Sequence, residues 1–206
     1  MNQAIISEKL PASGNILVAP LDWGLGHAAR CIPLIRHWLK EGHHVSVAAE
    51  GRTKALLQKH FPDIEFITLE GYGINYGRRL PLSVALSLQL PKFFRSVRME
   101  HDWLETLLKQ RRFDLVVSDN RYGLWSKQTR CVIITHQLFV KAPSLFSWME
   151  PFVHRQLHRM IARFDECWVP DFAGEKNLSG ILSHQKKTNN KTFYIGSLTR
   201  FESLFI

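Results

Sequence analysis

Apolar positions along the chain fall into short continuous runs, separated by longer stretches in which they recur every three or four residues. Asn15–Pro20 (NILVAP) is the first run and predicts a buried strand. From His27 to Lys40 the spacing of Ile32, Leu34, Ile35, Trp38 and Leu39 is helical, and Gly42 supplies the stop. His44–Ala49 predicts a second strand, Thr53–His60 a helix and Ile64–Leu69 a third strand. Asp114–Ser118 and Cys131–Thr135 predict two more strands, Ser147–Phe164 a helix, and Glu166–Val169 and Thr192–Ile195 the last two strands. Strands that alternate with helices need crossover connections, which implies a parallel sheet. Continuous apolar runs, rather than alternating ones, imply that both sheet faces are covered by helices. The fold class is therefore α/β.

Composition narrows the function classes. The 206 residues are 45% hydrophobic and 22% charged, which excludes wholesale disorder and allows a core without disulfide staples. Cys31, Cys131 and Cys167 are far apart and odd in number, so they form no metal or redox pair and read as buried small hydrophobes. A reducing, cytoplasmic compartment is the expectation. No basic segment followed by a long apolar run marks the N-terminus as a signal peptide. The apolar stretch Leu80–Pro91 falls short of the roughly 20 residues that cross a bilayer. The formal net charge of +9 favours an anionic partner. No nucleic-acid motif is present, so the partners expected are phosphorylated metabolites or lipid head groups rather than nucleic acid.

Three polar clusters follow predicted strands, where ligands bind in open parallel sheets. The first is Asp22-Trp23-Gly24-Leu25-Gly26-His27. Gly24 and Gly26 let a ligand approach the backbone, and N–H groups at a helix start favour an anion. The first turn of a helix favours negative over positive charge, so His27 there suits a general base; the alternative is a tight turn with an incidental histidine. The second cluster, Ser118-Asp119-Asn120-Arg121-Tyr122, reads either as substrate contact or as a helix cap. The third, Thr135-His136-Gln137, reads either as a ligand contact or as a loop histidine. The stretch Gly77–Arg112 carries Arg78, Arg79, Lys92, Arg95 and Arg98 among Leu80, Leu82, Val84, Leu86, Leu88, Leu90, Phe93 and Phe94. It reads as an amphipathic helix on an anionic membrane surface or as a packed helix with a solvated basic face. His154 and His158 share a helix face, but no acidic third ligand accompanies them, so no metal site is expected.

The order of these motifs resembles the N-terminal half of GT-B glycosyltransferases, and among them family 28, the lipid II-forming N-acetylglucosaminyltransferase type. Gly24-Leu25-Gly26-His27 resembles that family's glycine-rich turn ending in His. Gly71–Arg79 with Leu80–Arg98 is similar to its glycine-containing loop and membrane-facing helix. Asp114–Gly123 (DLVVSDNRYG), Ile134–Gln137 (ITHQ) and Tyr194–Arg200 (YIGSLTR) resemble three further segments in the same order. Asp22 and Trp23 depart from the small residues of the family turn, and Leu138 stands where its Asn would follow Gln137.

The resemblance implies a Rossmann-like acceptor domain over residues 15–198, after an N-terminal tail of residues 1–14. Residues 199–206 would begin a linker to a donor domain. It implies inverting transfer of a sugar, N-acetylglucosamine by family likeness, from a UDP-sugar to a membrane-associated or phosphorylated acceptor. His27 is the first candidate for base or acceptor-phosphate contact, Asp119 the second as base or orienter, and His136 the third. Gly24, Gly26, Asn120, Arg121, Tyr122 and Gln137 are candidate substrate contacts. Arg78, Arg79, Lys92, Arg95 and Arg98 are candidate membrane contacts, at the inner face of the cytoplasmic membrane. No cofactor or metal is needed, because helix N-termini can stabilise a diphosphate leaving group. The alternatives are a non-catalytic membrane-anchoring subunit of a split transferase and a UDP-sugar 2-epimerase-like protein.

Overall fold

The computed structural model describes residues 6, 10–71, 82–139, 147–148, 150–174, 177–183 and 191–199. Seven strands carry the architecture: β1 (Asn15–Pro20), β2 (His44–Ala48), β3 (Glu65–Ile67), β4 (Leu115–Asp119), β5 (Arg130–Ile134), β6 (Glu166–Val169) and β7 (Thr192–Tyr194). Among the described residues, helix α1 (Leu25–Lys40) lies between β1 and β2, α2 (Gly51–His60) between β2 and β3, α3 (Leu82–Gln110) between β3 and β4, and α4 (Glu150–Ile161) between β5 and β6. The sheet order is β3-β2-β1-β4-β5-β6-β7, and every pair is parallel.

Both faces of the sheet are buried, as the continuous apolar runs require. Ile16, Val18, Val45, Val47, Leu115 and Val117 face one core, against Cys31, Ile32, Ile35 and Trp38 of α1 and Leu57 of α2. Leu17, Ala19, Val116, Cys131 and Ile133 face the other, against Val97, Leu104 and Leu107 of α3 and Leu157 and Ile161 of α4. Successive side chains of a strand point to opposite faces, so each run supplies both cores at once. All three cysteines are free and buried, and burial pushes the Cys131 and Cys167 thiols up to about 12. Ile6 and Leu10, in the segment expected as a tail, pack against the α1 side of the sheet.

The chain runs outward from β1 to β2 and β3, then returns through α3 to pair β4 with the other side of β1. That reversal opens a crevice beyond the carboxyl ends of β1 and β4, where an open α/β sheet binds its ligand. Register sets the two ends side by side, with Pro20 of β1 opposite Asp119 of β4.

Candidate functional site

Two glycines flank the start of α1, and the structure separates their uses. Gly24 caps the helix with extended backbone that any residue adopts, and no side chain caps the first turn. Gly26 lies inside the helix. A methyl group at either position would meet open space, so these glycines serve neither a special turn nor close packing within the chain. What they leave is bare backbone at the crevice.

His27 and Arg30 stand one turn apart on α1 and point toward the end of β4, since residues three apart share a helix face. Asp119, the last residue of β4, is fully buried beneath them, while His27 and Arg30 keep 18% and 14% of their side chains exposed. The Arg30 fork grips the carboxylate: Nε donates to Oδ2 at 2.6 Å and Nη2 to Oδ1. The same Nη2 lies 2.7 Å from His27 Nδ1, and Asp119 Oδ1 lies 3.2 Å from that nitrogen. Burial alone would push the Asp119 carboxyl up. The neighbouring His27 ring and the Arg30 guanidinium outweigh burial and hold it below the usual carboxylate range. The carboxylate is therefore charged at neutral pH.

His136 completes the group from the end of β5. Its Nδ1 lies 3.5 Å from Arg30 Nη1, and burial together with the Arg30 and His27 side chains presses its imidazole below the ordinary value. His136 is half-buried and Gln137 is exposed. Thr135, fully buried, accepts from the Gln137 N–H through Oγ1 at 3.1 Å and so shapes the turn that carries both.

The rest of the second cluster divides. Asn120 adopts a left-handed conformation (φ 56°), which the Asn side chain tolerates better than most, and its N–H donates to Ile134 O at 3.0 Å. Among the described residues its buried Oδ1 has no hydrogen-bond partner. Tyr122 is buried beside Thr135, and burial pushes its phenol up to about 12. Arg121, a candidate substrate contact, is held inside the fold. It is fully buried and donates to Pro20 O at 3.0 Å, Glu70 O at 3.1 Å and Glu100 Oε1 at 3.0 Å. The reason is helix α3, which brings Glu100 against the β4 turn; Glu100 Oε2 also accepts from Gly123 N–H at 3.1 Å. Added atoms at Gly123 would sit 2.2 Å from Val97 O, so only glycine fits beneath α3. Arg121 thus anchors the turn after β4.

Of the basic residues, Lys92, Arg95 and Arg98 lie exposed on α3, with Phe94 and Met99 exposed beside them. Arg78 and Arg79 fall outside the described residues. Among the described residues no helix is long and apolar enough to cross a membrane. His154 and His158 share a face as expected, and both meet the ring of Phe139 edge-on.

Arg30 is the residue that the clusters overlooked. It sits in the second turn of an amphipathic helix, past the glycine-containing turn and away from any strand end. Its only sequence signal is the i, i+3 spacing from His27, which gains meaning once β4 is known to end beneath that face.

Comparison with known proteins agrees with this architecture. No protein-family model matches the chain. An uncharacterized glycosyltransferase of Methanosarcina mazei is 29% identical over 195 residues, which cover 86% of this chain and 49% of that protein. Among solved structures, the glycotransferase of kitacinnamycin superposes with a TM-score of 0.51 at 15% identity, over 78% of this chain and 46% of that one. Arabidopsis thaliana UGT89C1 complexed with UDP superposes with a TM-score of 0.52 at 14% identity, over 78% and 45%. The fold is a Rossmann-like α/β fold similar to that of GT-B glycosyltransferases. It spans about half the length of these similar proteins.

Proposed function

We propose that this chain is the acceptor half of an inverting glycosyltransferase that uses a UDP-sugar donor. The observation that carries the reading is the meeting of His27 and Asp119 at the carboxyl ends of adjacent strands, at the point where the strand order reverses. A buried, charged carboxylate beside a partly exposed imidazole places a candidate base at the crevice. In the reaction, His27 takes the proton from an acceptor hydroxyl. The oxygen attacks the anomeric carbon of the sugar, the bond to the diphosphate breaks, and the sugar inverts. Open backbone at Gly24 and Gly26 gives phosphorylated groups access to the first turn of α1. The UDP complexes of structurally similar proteins support a nucleotide-sugar donor, and the motif order in the sequence supports N-acetylglucosamine as the sugar. The acceptor is a membrane-associated or phosphorylated molecule. Lys92, Arg95 and Arg98, next to exposed Phe94 and Met99, support contact of α3 with an anionic membrane.

On this reading the donor grip lies outside the chain. Calorimetric titration with UDP is expected to give a Kd of about 1 mM, near −4 kcal/mol. A prenyl-diphosphate-linked sugar presented in micelles is expected to perturb the NMR signals of His27 and His136 at lower concentration. Micromolar UDP binding, or an acceptor that leaves both histidines unmoved, contradicts the division of labour.

A further inference from the structure

His27 Nδ1 has two neighbours that make opposite demands on it. Arg30 Nη2, at 2.7 Å, can only donate a hydrogen bond. Asp119 Oδ1, at 3.2 Å, belongs to a charged carboxylate and can only accept one. Nδ1 offers a lone pair to the first or a proton to the second, never both. The shorter contact is the one to Arg30. That guanidinium is fixed by its fork on Asp119 and cannot turn from the ring without giving up a charge-assisted hydrogen bond. A neutral imidazole with a lone pair on Nδ1 carries its proton on Nε2, and in that form Nε2 is a donor with no lone pair to take a proton.

We propose that Arg30 is a positioning residue that sets the tautomer of His27, holding the ring in its Nε2–H form. When Nη2 leaves the ring, Nε2 gives its proton to water and Nδ1 takes one from water and keeps it, in a hydrogen bond that Asp119 accepts, so the Nε2 lone pair becomes available as a base. Net charge is unchanged. The catalytic consequence rests on the transferase reading, whereas the tautomer itself does not. His136, whose Nδ1 approaches Nη1 of the same guanidinium, is the nearby group through which a moving Arg30 would be felt.

The test is a long-range ¹H–¹⁵N correlation spectrum of the full chain with ¹⁵N-labelled histidine, at about pH 8, above the ordinary imidazole range. The His27 signals are assigned by their loss in His27→Gln. The wild-type ring is expected to show Nε2 protonated and Nδ1 bare. Arg30→Met is expected to move the ratio of tautomers toward Nδ1–H by about tenfold or more, the scale for loss of a hydrogen bond from a charged donor. A wild-type ring already in the Nδ1–H form overturns the proposal, and this spectrum needs no variant to fold. A folded Arg30→Met protein with an unchanged ratio overturns it as well. A wild-type Nδ1–H ring would still leave His27 fit to act as a base. An Nε2–H ring in an enzyme whose turnover is indifferent to His27 would sink the transferase reading and leave the proposal standing.

Discussion

At Gly26 the protein forgoes a methyl group that its own packing would accept. The position is helical, and an added Cβ meets nothing. Alanine is the better helix former, so Gly26→Ala is expected to stabilise the fold by up to about 1 kcal/mol, seen as a higher Tm. If the bare backbone serves a ligand, the same variant binds a phosphorylated acceptor more weakly. A stabilised protein with unchanged acceptor affinity would remove Gly26 from the contact surface. At this scale His27, Asp119 and His136 could be singled out from the chain because each lies beside a strand end, which periodicity locates. Arg30 could not, because its meaning depends on where β4 ends in space. The partner of Arg121 was hidden for a related reason: its guanidinium meets Glu100, which arrives from a helix earlier in the chain.

Elements explain why the strands were easier to read than the turns between them. A parallel strand covered on both faces needs an unbroken apolar run, so β1, β4 and β5 announce themselves. The turns are shaped by contacts that no local pattern reveals. After β6, Asp171 is buried and organises the following loop, accepting from the N–H groups of Phe172 (2.8 Å), Leu178 (2.9 Å) and Ser179 (2.8 Å), and from the Ser179 hydroxyl. Burial alone would raise its carboxyl, but the Ser179 hydroxyl and these backbone donors bring it down to about 2. A carboxyl whose folded value is depressed stabilises the fold fully above its unfolded value and loses that contribution as pH falls through the folded one. The Asp171 contribution is therefore present above about pH 4 and lost as pH falls toward about 2. Urea midpoints measured across this window should fall more steeply for the wild type than for Asp171→Asn. Equal slopes would mean that the loop does not depend on the charged form.

For the whole molecule, the sheet order places the candidate residues of three elements on one edge, while α3 turns basic and apolar side chains outward on a flank. A surface of that composition is expected to bind vesicles containing anionic lipid and to release them as salt rises, because screening shortens the reach of exposed charges. Neutralising Lys92, Arg95 and Arg98 together should weaken that binding on the order of a hundredfold, at about 1 kcal/mol for each basic residue near the surface. Equal binding to neutral and anionic vesicles would show α3 to be a packed helix with a solvated face. The amphipathic pattern alone left both readings open, since exposed charges around an apolar run suit either; the exposure of Phe94 and Met99 is what favours the membrane.

The account turns on His27 as the base that activates an acceptor above a buried carboxylate. The most direct measurement is the turnover of His27→Ala in a transferase reconstituted from this chain and a nucleotide-sugar-binding half. A drop in kcat of about 10²-fold or more, with the fold intact by circular dichroism, is the result expected for loss of a general base. Turnover equal to that of the unaltered chain would contradict the account, and the meeting of His27 with Asp119 would then be a structural contact at a strand end.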